Sequence, residues 1–345
     1  MNLAQKILTE NIVVDTHLDL LFDIADKHEK GRENVIIEDY LESFKKGHVD
    51  VIVSSIFIDS EFTPDLALKK AIDQIAYFYQ ELDRCDGEFV LATCKKDILD
   101  AKANNQLAIM LGFEGIEPLS GNPAMLRAFY ELGVRIVGLC WSRSNFAADG
   151  SRIFDFDYEG YGLTKEGIEI VKYAIELGML IDVSHTNEKT FWDIVDIVRK
   201  AGKPIIATHS NCRAISDTPR NLSDEQIKAI HKLGGVIGIN GASLINNFKN
   251  PQAANMQTMI DHILHEKEIC SVDISCVGLD QCDRIAEQSS TINDNEDLKE
   301  VFDIIPTHDM LGEFVEKLLE NNFSEEDIKM ILGENVLRVI EKSIG

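Results

Sequence analysis

Basic residues are scarce in this chain: across 345 positions, 34 Lys and Arg face 59 Asp and Glu, for a formal charge of −25. A phosphate backbone is held by clustered Lys and Arg, and no basic run stands out here, so a general nucleic-acid binder is excluded. Long apolar runs are missing too. No stretch approaches the roughly 20 uninterrupted apolar residues of a membrane span. Residues 1–10 include Lys6 and Glu10 and lack the apolar core of a signal peptide, and residues 340–345 lack the hydrophobic tail of a lipid anchor. The seven cysteines (85, 94, 140, 212, 270, 276, 282) are odd in number and form no C-x-x-C pair. That argues against a disulfide framework or a cysteine-only zinc site, and the expectation is reduced thiols in a cytoplasmic protein. Proline is limited to 7 residues, and neither an internal repeat nor a low-complexity tract is visible.

What is present suits a folded core: 45% apolar and 27% charged residues exclude disorder as the main state. Eight short apolar runs, rich in β-branched residues, recur at 12–14, 51–58, 107–111, 134–139, 179–183, 204–207, 236–239 and 274–279. Continuous apolarity over so few residues is what a strand buried on both faces requires. Helical periodicity fills the intervals. Thr63-Pro64 reads as a helix start ahead of Leu68, Ile72, Ile75, Tyr79 and Leu82; Thr164 opens a second helix that Gly178 closes; Ser223 to Gln226 form a capping box ahead of Ile227 and Ile230. Length alone would suggest about two domains, but alternating strands and helices without a linker predict one (β/α)8, or TIM, barrel over residues 1–345. Residues 150–163 and the polar stretch 281–297 read as long loops over the catalytic face.

Chemistry in such a barrel belongs at the C-terminal ends of the strands. The first run is followed by His17 and Asp19, which two-residue alternation puts on one side. The third ends in Glu114, the fifth in His185, the sixth in His209 and the eighth in Asp280. Taken singly, a His or acid closing a strand is usually a hydrogen-bonded structural residue. Glu114 is the least easily dismissed, since a carboxylate ending so apolar a strand must be paired or metal-bound to offset its desolvation. Three imidazoles and three carboxylates at five strand ends suit borderline divalent ions, zinc first, and exceed the three protein ligands that one catalytic zinc usually takes. Two ions sharing a carboxylate fit better, and the reaction class that follows is metal-assisted hydrolysis. The histidines at 28, 48, 231, 262, 265 and 308 fall in helical or loop segments and read as surface or packing residues.

Five stretches, VVDTHLDLLFDI at 13–24, LGFEG at 111–115, GLTKEGIEIVKYAIELGMLIDVSH at 162–185, PIIATHSNCRAISDTPRNLSDEQI at 204–227 and ILGENVLRVIEK at 331–342, give the chain its resemblance to the membrane (renal) dipeptidase family of dinuclear-zinc peptidases. The resemblance implies that His17 and Asp19 bind one zinc, His185 and His209 the other, and that Glu114 bridges them. It also implies that Asp280 is the general acid/base and that Arg220 grips the carboxylate of the substrate. The expected reaction is attack of a metal-bridging hydroxide on the amide of a dipeptide with a free C-terminal carboxylate. An amidohydrolase acting on another amide, a lactone or a phosphoester is the alternative, as is a metal-binding barrel without turnover. The expected partner is a small-molecule dipeptide, with no nucleic acid, no membrane and homo-oligomerisation left open.

The chain departs from the family pattern twice. After the eighth run, Gly278-Leu279-Asp280-Gln281-Cys282-Asp283 keeps only the first aspartate of the usual Gly-Ser-Asp-Phe-Asp-Gly in register, with Asp283 as the fallback acid. Where many members carry a catalytic histidine, this chain has Cys140-Trp141-Ser142-Arg143. Arg143 or Asn145 would then stabilise the oxyanion, or the metals alone would.

Overall fold

A computed structural model describes residues 2–285, 288–293, 298 and 300–345. Nine strands form one parallel sheet: β1 (Val14–Leu18), β2 (Val51–Phe57), β3 (Phe89–Leu91), β4 (Leu107–Glu114), β5 (Val134–Gly138), β6 (Leu180–Asp182), β7 (Ile205–Ala207), β8 (Val236–Ile239) and β9 (Ser275–Val277). Their order is β2-β1-β9-β8-β7-β6-β5-β4-β3, and a seven-residue pairing of β2 with β4 closes the cylinder. β3 pairs only with β4 and stays outside the closure. The eight remaining strands make the expected (β/α)8 barrel. The 281–297 stretch falls partly on residues 286, 287 and 294–297, outside the described set; its described part includes a short helix, Ser290–Asn293.

The inward faces explain how one sequence builds both a core and a site. Val14, Val51, Ala108, Ile136, Leu180, Ile206, Val236 and Cys276, one from each barrel strand, form a single buried apolar cluster. Val336, Val339 and Ile340 of the helix Asn335–Ser343 join that cluster. Side chains alternate faces along a strand, so each step of two toward its C-terminal end stays inside. Such steps lead to Gly112 and Glu114 on β4, and to Asp182 on β6. On β8 they lead to Gly238, and past the ends of β7, β8 and β9 to Thr208, to Asn240, and to Gly278 and Asp280. The interior therefore changes from aliphatic to small to chemically active along the barrel axis. A Cβ on Gly238 or Gly278 would run into the Thr208 carbonyl and the Thr16 hydroxyl, so only glycine permits this close approach.

Two local expectations need correction. The second interval's helix runs from Ala67 to Arg84, not from Thr63; Thr63-Pro64 lies in the turn before it. Its buried face is Ala67, Ala71, Gln74, Ile75, Phe78 and Glu81, while Ile72 is 40% exposed. Both polar members are hydrogen-bonded: Gln74 donates to the Phe57 carbonyl, and Glu81 accepts from the amides of Val35 and Ile36 and pairs with His28. The helices expected after Thr164 and Ser223 are present as Lys165–Leu177, with Gly178 in the left-handed conformation, and as Asp224–Lys232, with its capping box intact.

Candidate metal centre

The six proposed ligands arrive from five strand ends. β1 carries His17 and is followed at once by Asp19; β4 ends in Glu114; His185 lies three residues beyond β6, His209 two beyond β7, and Asp280 three beyond β9. His185 and Asp280 both have positive φ, 64° and 54°. Such conformations are uncommon for residues with a Cβ and concentrate at functional sites.

The side chains converge on Glu114. His185 Nε2 lies 2.9 Å and His209 Nε2 3.4 Å from Glu114 Oε1, while His17 Nε2 lies 3.6 Å from Oε2. His17 Nε2 is also 4.0 Å from Asp19 Oδ1 and 3.9 Å from Asp280 Oδ1. His185 and His209 bring their Nε2 atoms within 2.8 Å of each other. Asp19 accepts from the Ser55 hydroxyl, and Asp280 Oδ2 accepts from the Asn240 amide at 2.8 Å. Three overlapping sets of ligand atoms result: His17, Asp19 and Glu114; Glu114, His185 and His209; and His17, His209 and Asp280.

Burial and crowding govern the protonation of these groups. Burial opposes ionisation of Glu114, but the charge of His17 and the close approach of the His17, His185 and His209 rings outweigh it and hold the carboxyl well below its usual range. Burial alone would lower His17, yet Glu114, Asp280 and Asp19 raise it to about 10. Asp19 is pushed up to about 8 by burial and by the charge of Glu114. His185 falls to about 3 through burial and the nearby Arg220 charge. The carboxyl groups are thus held together against the charges of His17 and Arg220.

The donor set fits divalent cations on direct observation. His17 Nε2 is fully buried and has no hydrogen-bond partner. Such an atom costs roughly 1 to 3 kcal/mol if left unmet. Imidazole nitrogens and carboxylate oxygens on one buried point are the ligands that zinc and its neighbours take.

A pocket opens over this cluster. Asp19, Glu114, His185, Arg220 and Asp280 line it on one side, and its apolar wall includes Phe57, Trp141, Leu244 and Ile285. Arg220 is buried and donates from Nη1 to Ser210 Oγ (2.9 Å) and from Nη2 to the His209 carbonyl (2.7 Å), leaving further N–H groups free. Trp141 lies against His185 and Phe57, with ring centroids 5.7 Å away in each case. Neither Arg143 nor Asn145 is among the residues lining this pocket. Arg143 binds Glu117 and the Ile58 carbonyl, and Asn145 holds its own loop by donating to the Leu139 carbonyl and accepting from the amides of Ala147 and Ala148. The fallback Asp283 also lines the pocket but is exposed and accepts from the Asp303 amide.

Sequence reasoning missed the residues behind the ligands. Ser142 contacts His185 Nδ1 at 2.8 Å, Thr208 contacts His209 Nδ1 at 2.8 Å, and Asp182 stands behind Thr208. The signal for Asp182 was an acid inside an otherwise apolar strand. His308, expected at the surface or in packing, is buried and bonds Asp15 at 2.7 Å, while Asp15 in turn accepts from the amides of His17 and Leu279. No pattern could link positions so far apart in sequence.

The profile of the membrane dipeptidase family, peptidase family M19, matches residues 1–344. A protein of Acinetobacter calcoaceticus, described only as uncharacterized and lying in the PQQ-III 3' region, is 37% identical over 211 residues. That alignment takes in 61% of this chain and 65% of the relative, just under two thirds of its length. Dipeptidase verJ of Clonostachys rogersoniana is 24% identical over 354 residues, 98% of this chain and 86% of that protein. In three dimensions the chain is similar to a metallopeptidase of Rhodobacter sphaeroides solved with a phosphinate mimic of the dipeptide L-Ala-D-Ala. The TM-score is 0.84 at 20% identity, covering 97% of this chain and 100% of the other.

Proposed function

The chain belongs to the membrane dipeptidase family, peptidase family M19, and from that premise we propose that it is a zinc-dependent dipeptidase cleaving dipeptides with a free C-terminal carboxylate. The observation that carries this reading is the convergence of three Nε2 atoms on Glu114, beneath a pocket that Asp280 and Arg220 also line. In it, His17 and Asp19 would hold one ion, His185 and His209 a second, with Glu114 contributing to each. Divalent ions there would supply Lewis acidity toward the amide carbonyl and an activated water.

The side chains account for the rest. The spare N–H groups of Arg220 present a fork suited to the substrate's carboxylate. Asp280, oriented by Asn240 and raised by burial and the charge of Glu114, takes a proton from the attacking water and delivers it to the leaving amine. The apolar wall of Phe57, Trp141 and Ile285 receives the dipeptide's side chains and excludes bulk water. Position 141 offers no imidazole and Arg143 and Asn145 are engaged elsewhere, so neither of these side chains serves the oxyanion, and bound ions would supply that charge stabilisation.

One barrel serves as the whole catalytic unit in this reading. Among the described residues no helix is long and apolar enough to cross a membrane, and all seven cysteines are free, which supports a reducing, cytoplasmic setting. The test is a screen of dipeptides, N-acetylated dipeptides and simple lactones against the zinc-loaded protein. Turnover of free dipeptides alone is the expected result; turnover of lactones in their place would redirect the assignment.

A further inference from the structure

Thr208 has one hydroxyl proton and several claimants for it. Its Oγ1 lies 2.6 Å from Asp182 Oδ2, 2.8 Å from His209 Nδ1, 3.3 Å from His17 Nδ1 and 3.3 Å from Ser184 Oγ. Asp182 already accepts through Oδ1 from the amides of Ser184 (2.9 Å) and Thr208 (3.0 Å). An ionised carboxylate can only accept, so the shortest of these contacts takes the Thr208 proton. The hydroxyl oxygen then has only lone pairs to offer, and His209 must meet it with an Nδ1–H. His17 Nδ1 faces the same oxygen and is driven the same way. Both rings therefore carry a proton on Nδ1 and turn Nε2 toward Glu114. All of these groups are buried, so water does not compete for the contacts.

We propose that Asp182 and Thr208 are positioning residues that set the tautomer of His209 and hold a proton on His17 Nδ1, so that both rings keep Nε2 for a metal. The inference rests on the reading of this cluster as a metal centre, but the proton arrangement holds without the metal. The direct contact between His185 Nε2 and His209 Nε2 is compatible with it. In the metal-free protein, Ser142 donates to His185 Nδ1, His185 Nε2–H is shared between His209 Nε2 and Glu114 Oε1, His209 Nδ1–H goes to Thr208, and Thr208 donates to Asp182. The chain of hydrogen bonds runs in one direction, and its direction is fixed at the Asp182 end.

Asp182→Asn inverts the arrangement. The asparagine oxygen stays on the two backbone amides, its NH2 donates to Thr208 Oγ1, and the Thr208 proton turns to His209 Nδ1. His209 then carries its proton on Nε2, where a metal would bind.

The experiment uses histidine labelled with 15N and 13C in the metal-free protein to read the tautomer, and competition with a chelator to read zinc affinity. Wild type should show His209 protonated on Nδ1. Asp182→Asn should show the Nε2–H form and bind zinc about 10- to 100-fold more weakly, the usual effect of losing such a partner. Thr208→Val should weaken zinc to a similar degree, and Thr208→Ser should restore it to within a few-fold. Should Asp182→Asn fail to fold, the Thr208 pair carries the test. Nε2–H at His209 in wild type, or zinc bound as tightly by Thr208→Val as by wild type, would overturn the proposal. A wild type with the Nδ1–H form that binds no zinc would refute the metal-centre reading and leave the tautomer assignment standing.

Discussion

Arg220 and Asp280 share one pocket but do different work, and kinetics can separate them. Arg220→Ala removes a charged donor for the substrate, so KM for dipeptides should rise by the equivalent of roughly 1.5 to 3 kcal/mol, the range for a hydrogen bond to a charged group. Amidating the dipeptide's C-terminus should harm wild type strongly and the variant little; equal harm to both would give the arginine another role. Asp280→Asn should leave KM nearly unchanged and lower kcat by about a hundred-fold or more, the usual contribution of general acid/base catalysis. At this scale the sequence was most informative, because a His or acid that ends an apolar run stands out. Asp182, Thr208 and Ser142 did not stand out, since serine, threonine and a strand-end aspartate are common and only the fold shows which ring each one faces.

Elements carry the second group of expectations. The loop after β5 has Trp141 where the resemblance leads one to expect a histidine, and Asn145 within it is committed to three backbone partners. Asn145→Ala should therefore lower thermal stability while kcat stays within a few-fold of wild type; a hundred-fold fall, typical of a lost oxyanion donor, would contradict this. The helix Met256–Ile269 buries Glu266 among Ser275 and Cys212, and burial pushes its carboxyl from 4.5 up to about 8. An acid raised on folding contributes its full stability below the unfolded value. Between pH 4.5 and 8 the unfolded chain has released the proton and the folded one has not, so stability falls as pH rises. Melting temperature should accordingly drop less between pH 5 and 8 in Glu266→Gln than in wild type, and identical slopes would refute the assignment. Neither Glu266 nor β3 was legible: a single acid does not disturb an amphipathic pattern, and a three-residue strand paired on one edge is too short to show a periodicity.

For the whole molecule, the barrel was legible because all eight of its strands are buried on both faces, and that forces short apolar runs at regular intervals. Closure between β2 and β4 was not, since β3 intervenes in sequence and pairing partners leave no local mark. The same inward alternation that fills the base with valine and isoleucine delivers Glu114 and Asp280 to the rim, so fold and site come from one pattern. The central claim is that this rim holds two divalent ions on which peptide hydrolysis depends. The most direct test combines elemental analysis of protein purified without chelator with dipeptide hydrolysis measured before chelation, after it, and after zinc is restored. The account predicts close to two equivalents of metal, chiefly zinc, lost together from both positions in Glu114→Ala, and hydrolysis that disappears on chelation and returns with zinc. A stoichiometry of one that added zinc does not change, or hydrolysis that survives complete removal of metal, would contradict it.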